Sequence, residues 1–359
     1  MEKNKFYVPI LKWKRGEQKA LELLKTESLN KIIPLIEISP IDYDWINNVP
    51  KKSINEHVAN IPATIINSIK DNQCFIDGFM LEDETLTNGD NPIKWIIETV
   101  RTSGGNPIPV TGTNRTTSYN NGITALLSNG TINEICIRLT EADFGTINAY
   151  LQDIIRNFDI AADKCHIVVD LKEIKAASVS TYILLLPILI NNLIYLNSWA
   201  SITLAATSFP ATLSDVNRNS HSILPRSEYD LWTRLISIDN LSRTLNFGDY
   251  CISNPEYSEV DPRYINMSGN IRYTIDNGFL IYKGISTKIN GFSQMINMCN
   301  LLINSLYYCG QTFSWGDDTI YRCANRTAST GNAETWRRIG TNHHIEFIIN
   351  QLNNLTFFN

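Results

Sequence analysis

The feature that most constrains this chain is a recurrence of short apolar runs, each ending in an ionisable side chain. Phe6-Tyr7-Val8-Pro9-Ile10-Leu11-Lys12-Trp13-Lys14 is the first; Ile32-Ile33-Pro34-Leu35-Ile36-Glu37, Glu134-Ile135-Cys136-Ile137-Arg138 and His166-Ile167-Val168-Val169-Asp170 follow at intervals. Runs of this kind read as strands buried on both faces, and the stretches between them carry helical periodicity. Buried strands with polar C-terminal tips, alternating with helices, predict an α/β fold: a (β/α)8 TIM-like barrel.

Further strands are expected over residues 74–81, 107–111, 199–206 and 247–252, although Pro107 and Pro109 are unusual in a central strand. Helical spacing falls at 16–25, 60–70, 91–101, 119–127, 147–158 and 228–238, with Pro62 in a first turn where its missing N–H costs nothing. The sixth helix, 182–196, is apolar all round and is expected to be covered on both sides. Beyond residue 252 the rhythm stops. A hairpin is predicted around Asp276-Asn277-Gly278, where Asn-Gly suits positive φ, followed by a helix over 292–303, a loop-rich stretch over 309–332 and a last helix over 343–352. The expected division is therefore a barrel over 1–255 and an extension of hairpin plus helices over 256–359, packed on the barrel because it is too small to bury a core of its own.

With 43% hydrophobic and 19% charged residues in 359, the chain has the composition of a globular protein with a sizeable core. A net charge of −5 argues against a general nucleic-acid coat, whose affinity rests on neutralising many phosphates. Seven cysteines are scattered without a C-x-x-C pair, which reads as reduced thiols in a cytoplasmic protein. Met1-Glu2-Lys3-Asn4-Lys5 leads into the first strand without a signal-peptide core. Pro187, Asn191 and Asn192 interrupt the most apolar stretch below the ~18 residues a membrane span needs.

In a parallel barrel the C-terminal strand ends form the face where ligands bind. Strand parity sets Lys12 with Val8 and Ile10, Glu37 with Leu35, Arg138 with Cys136, and Asp170 with Val168, so these four charges and the neighbouring Lys14 are the candidate mouth. A Lys/Arg pair there could hold a small anionic ligand while the carboxylates act as acid and base; the competing reading is a closed salt-bridge layer. Trp315 lies beside Asp317-Asp318 with Trp336-Arg337-Arg338 further on, a pattern that either stacks and pairs with nucleotides or packs an extension. His343-His344 are adjacent and lack an H-E-x-x-H spacing, so no metal is assigned. No phosphate-loop, dinucleotide or nucleophile-elbow motif occurs, and neither a cofactor nor a catalytic residue is assigned.

Tyr7-Val8-Pro9-Ile10-Leu11-Lys12-Trp13-Lys14 with Gly16-Glu17, then Pro34-Leu35-Ile36-Glu37-Ile38, Gly248-Asp249-Tyr250 and Trp336-Arg337-Arg338-x-Gly340-Thr341-x-His343-His344-Ile345, resembles the bacterial and phage beta protein family over nearly the whole chain. The resemblance implies a place in mobile and defence-associated regions of bacterial genomes, with a nuclease-like or toxin partner encoded nearby, and carries over no catalytic set. Asp249, Trp315, Arg337, His343 and His344 are accessory candidates. Three classes of function stay open: a recognition or scaffold subunit of an antiviral system, a barrel hydrolase or phosphodiesterase for a small anionic or nucleotide substrate, and a nucleic-acid binder, which the acidic balance disfavours.

Overall fold

Eight strands close into a barrel in the computed structural model, which describes residues 6–238, 241–257 and 266–355; Met1–Lys5, read above as leading into the first strand, lie outside these. In chain order the strands are β1 (Val8–Lys12), β2 (Leu35–Glu37), a small ribbon of β3 (Tyr43–Asp44) and β4 (Val49–Pro50), β5 (Gln73–Asp77), β6 (Asn106–Gly112), β7 (Ile135–Thr140), β8 (Cys165–Glu173), β9 (Ser201–Thr207), β10 (Ser220–Pro225), β11 (Asn246–Asp249), β12 (Ser268–Ile275) and β13 (Gly278–Ser286). The barrel runs β1-β11-β9-β8-β7-β6-β5-β2, with helices in the crossovers, so the expected (β/α)8 architecture is the one observed.

Register lays the interior out in rows. Ile10, Leu35, Phe75 and Ile108 stand side by side, as do Val110, Cys136 and His166. Where β1, β11 and β9 meet, Val8, Gly248 and Ala205 align, and a Cβ on Gly248 would stand 3.0 Å from both Ala205 and Thr203 side-chain carbons. Both prolines of β6 are accommodated because its ladder to β7 starts only at Val110, past them.

Three expectations for this region need correction. β5 stops at Asp77, and Phe79–Leu81 form a 3-10 turn instead of continuing the strand. The helix after β8 runs Val179–Asn191 through Pro187, and its outer face is open: Leu184 is 74% and Ile188 64% exposed. Its all-round hydrophobicity therefore does not reflect cover on both sides. The last concerns the domain division. The chain separates into two compact units, one from the described residues of Met1–Trp13, Ile32–Ala206 and Glu228–Asp249, the other from those of Lys14–Lys31, Thr207–Ser227 and Tyr250–Asn359. The division is thus not a single cut at residue 255.

The second unit is built on the helix Ala333–Asn353, which is buried on nearly every side. The helix Arg15–Glu22 lies on it so closely that a Cβ on Gly16 would stand 2.8 Å from Arg337 Cγ, and Asn342 Nδ2 donates to Ala20 O at 3.1 Å. Farther along, Glu346 accepts from Ser28 Oγ at 2.6 Å and Lys25 N at 3.0 Å. An antiparallel sheet β10-β13-β12 supplies the other side, and Tyr273, Leu280, Met295, Cys299, Ile320 and Ile339 share its core.

The predicted hairpin forms, pairing Ile275 with Gly278, but none of Asp276, Asn277 and Gly278 has positive φ. Gly278 is needed for space instead, since a Cβ there would meet Ile223 Cγ2 at 2.5 Å and Leu224 O at 2.8 Å. The last helix begins at Ala333 instead of residue 343, and the loop-rich stretch contains a helix, Trp315–Ala324, capped by Ser314. Among the described residues no helix is long and apolar enough to cross a membrane.

Candidate ligand site at the barrel mouth

Register sets Lys12, Glu37 and Asp77 side by side at the C-terminal ends of β1, β2 and β5. Arg138, near the end of β7, reaches across to this row. Its Nη2 lies 2.8 Å from Glu37 Oε1, and its Nη1 lies 2.9 Å from Asp77 Oδ2. From β8, Asp170 Oδ2 accepts from the same guanidinium twice, at 2.7 Å from Nη2 and 3.0 Å from Nε. A second arginine, Arg115 in the loop after β6, donates to both Asp77 oxygens at 3.0 and 3.1 Å. Main-chain donors complete the carboxylates: Phe79 N to Asp77 at 3.1 Å and Lys172 N to Asp170 at 2.9 Å. Phe79 also places its ring 5.5 Å from Arg115 and 5.9 Å from Arg138, within cation–π range.

All three carboxylates are buried, so their charge depends on the guanidiniums for compensation. Burial pushes the Glu37 carboxyl above its ordinary value, Arg138 pulls it back by charge and hydrogen bond, and the Asp77 and Asp170 charges push it up again; the net direction is upward. Glu37 Oε2 is buried without a hydrogen-bond partner, as is Arg115 Nε. Burial is the largest single influence on Arg115 and lowers it, but the Asp77, Tyr119 and Glu82 charges together outweigh it and the guanidinium ends above its ordinary value. The cluster is closed on the Arg138 side and has one spare carboxyl oxygen on the Glu37 side.

Of the expected mouth residues, Glu37, Arg138 and Asp170 are in direct contact and Lys12 stands in the same row. Lys14 is exposed, ahead of the helix Arg15–Glu22 in the second unit, with its ammonium 4.7 Å from the Tyr257 ring. Asp249 is next to the inward Gly248, so its side chain lies on the outer side of the barrel wall and accepts from Tyr7 Oη. Asp77 and Arg115 were not expected. Asp77 does end an apolar run, Cys74-Phe75-Ile76-Asp77, but Phe79-Met80-Leu81 prolong the run and hide its tip. Arg115 has no strand parity to mark it.

Of the accessory candidates, His343 and His344 belong to a buried network inside the second unit. His343 stacks on Tyr273 at 3.7 Å between centroids, its Nδ1 is 2.8 Å from Asp317 Oδ2, and its Nε2 is 2.9 Å from Thr274 O. Tyr273 Oη and Ser314 Oγ each donate to Asp317 at 2.6 Å. Burial pushes the Asp317 carboxyl up, but the His343 charge and the hydrogen bonds from His343, Ser314 and Tyr273 together hold it below its ordinary value. His344 Nδ1 is 2.7 Å from Thr274 Oγ1. Arg337 donates to Ser253 Oγ at 2.5 Å and lies 3.7 Å from Glu17, while Arg338 pairs with Glu334 and sits over the Trp315 ring at 5.7 Å. These arginines are engaged within the unit.

The profile of the beta protein family matches residues 7–350. The chain belongs to the beta protein family. In this family member the motif residues from the two ends of the chain meet: Gly16 and Glu17 lie against Arg337, and Gly340 gives Arg272 O the room that a Cβ, at 2.9 Å, would take. No curated protein sequence matches the chain. Solved structures similar to it include a triosephosphate isomerase from Bartonella henselae, 10% identical with a TM-score of 0.32, covering 67% of this chain and 90% of that one. A chitinase from Chromobacterium violaceum is 9% identical with a TM-score of 0.28, covering 94% and 98%. The spore cortex-lytic enzyme SleL of Bacillus megaterium is 8% identical with a TM-score of 0.30, covering 84% and 69%.

Proposed function

We propose that this member of the beta protein family is a recognition or scaffold component of a bacterial antiviral defence system, acting in the cytoplasm with a nuclease-like or toxin partner encoded nearby. The observation that carries the reading is the state of Arg138. Nε, Nη1 and Nη2 all donate to the protein's own carboxylates, so the cation best placed to grip an anionic substrate is already engaged. A phosphodiesterase would need that charge aimed at its substrate. The genomic setting implied by the family supports the same reading.

A second reading, a barrel hydrolase, is favoured by one feature: a buried glutamate with a raised pKa and a free Oε2 is the form a general acid takes. Both are tested on the tagged chain expressed from its own locus. Native purification with mass spectrometry is expected to find a neighbour-encoded protein in stoichiometric amount, and deletion of the chain is expected to raise phage plating. A chain that purifies alone and whose deletion leaves plating unchanged across a phage panel overturns the first reading. A co-purified small molecule turned over by the parent but not by Glu37→Gln establishes the second.

A further inference from the structure

The second unit carries a cleft of about 530 Å³ that the mouth chemistry does not use. Its wall is Ile275, Tyr308 and Phe347, and its rim is Ile223, Leu306 and Tyr307. The rim is unusually bare. Leu306 is wholly exposed, and Ile223 and Tyr307 are 45% and 44% exposed, so three large apolar side chains surround one opening.

Polar groups sit at one end only. Asp276 is the single charged side chain of the lining; Oδ1 accepts from the neutral Gln351 amide at 3.3 Å, and the carboxylate has no salt bridge among the described residues. Arg226 is directed elsewhere, to Gln351 Oε1 at 2.8 Å and to the main-chain carbonyls of Ile275 and Asp276. Asn277 is exposed beside Asp276. Cys309 lines the cleft as a protonated thiol, since partial burial and the Asp317 and Asp276 charges push it up to about 11, against a smaller lowering by the Tyr273 hydrogen bond. That is unsuited to a nucleophile at neutral pH.

We propose that this cleft docks a short segment of a protein partner, with a bulky apolar residue seated on Tyr308 and Phe347 and an adjacent lysine or arginine paired with Asp276. A small molecule inside the cleft would leave Leu306 bare, whereas a peptide crossing the opening covers the rim. The isolated carboxylate gives the charge preference, and the Asn277 amide is placed to meet peptide main chain. The inference concerns a different surface from the barrel mouth and does not depend on the function proposed for it.

The test is a selection from a displayed random-peptide library on the full-length chain, counter-selected on Leu306→Asp, which removes only an exposed side chain; an unchanged thermal melt checks that the variant is folded. Enriched peptides are expected to join a bulky apolar residue to Lys or Arg. They should bind the parent at least about tenfold more tightly than Leu306→Asp, because a large apolar contact on the rim is replaced by a hydrated carboxylate. Asp276→Asn should weaken them about two- to fivefold, the range for an exposed ion pair. Bound peptide should also slow alkylation of Cys309 by iodoacetamide. No enrichment over the counter-selection, acidic peptides, indifference to Asp276, or a Cys309 thiol left unshielded each overturns the proposal. So does tryptamine alone shielding Cys309 as well as the peptides do, since the site would then be one for a small molecule.

Discussion

Replacing Arg138 with methionine probes the barrel mouth most directly, because the three carboxylates it serves do not lose equally. Asp77 keeps both contacts from Arg115 and the one from Phe79 N. Asp170 keeps Lys172 N but loses both guanidinium contacts. Glu37 loses the partner of Oε1 when Oε2 already has none, and takes up a proton at modest cost because its pKa is already raised. The main penalty therefore falls on Asp170, a fully buried carboxylate that loses both guanidinium contacts. Such a break costs about 3–5 kcal/mol.

The expected result is Arg138→Met less stable by about that amount near pH 7.5, with the deficit shrinking as pH falls. Adding Asp170→Asn and Glu37→Gln should bring stability back to within about 1.5 kcal/mol of the parent, since removing a whole buried pair is often neutral. Urea unfolding followed by tryptophan fluorescence measures both. An Arg138→Met loss below about 1 kcal/mol, or a triple variant no better than the single, would refute the argument that these charges are desolvated and mutually dependent.

Other expectations follow from single groups. Glu37 has a folded pKa above its ordinary 4.5, so its contribution to stability is full below that value and is lost as pH rises through the folded pKa; Glu37→Gln should remove this slope and be no less stable than the parent at neutral pH. His166, inside the barrel with Nδ1 2.7 Å from Ser201 Oγ and Nε2 unpartnered, is pushed by burial from 6.5 down to about 4. Its folded pKa is depressed, so stability is full above about 6.5 and falls by about 3 kcal/mol by pH ~4, and His166→Phe should flatten that part of a pH series of urea melts. Asp317→Asn removes the carboxylate that His343, Tyr273 and Ser314 contact in the second unit and should cost about 1.5–3 kcal/mol by the same assay. Gly278→Ala should cost about 1–3 kcal/mol through contact with Ile223 and Leu224, and a loss under about 0.5 kcal/mol would show that β10 yields freely.

The barrel was legible because its strands are buried on both faces, which leaves apolar runs separated by helical segments, and because the charges that close several of these runs mark the strand ends. Legibility failed where burial has no single period. The helix Ala333–Asn353 is covered nearly all round, so Gly340, Thr341, Asn342, His343 and His344 break any stripe, and the predicted helix starts only at residue 343. The motif Trp336-Arg337-Arg338-x-Gly340 drew attention as a candidate site when its residues chiefly serve packing: the glycine admits Arg272 O and Arg337 pairs with Glu17. Only a partner far along the chain reveals that role.

The mouth shows the same limit in a sharper form. Parity marks which side chains face inward but not which of them pair, and Lys12 beside Glu37 in adjacent strands is the pair a sequence reading favours. Arg138 takes that place because a planar guanidinium can serve Glu37, Asp77 and Asp170 at once, whereas an ammonium is a point charge without that fork. The consequence for experiment is concrete. Exchanging Glu37→Gln together with Lys12→Met would leave Arg138, Asp77 and Asp170 in contact, so continued activity in that variant would say little about the rest of the layer. The informative exchange is the one that follows Arg138: removal of the guanidinium with Glu37 and Asp170 neutralised keeps the shape and empties the mouth of its shared charge, leaving Asp77 with Arg115. If that variant folds and still associates with its partner, the charges at these strand ends hold the barrel together and recognition resides elsewhere on the molecule.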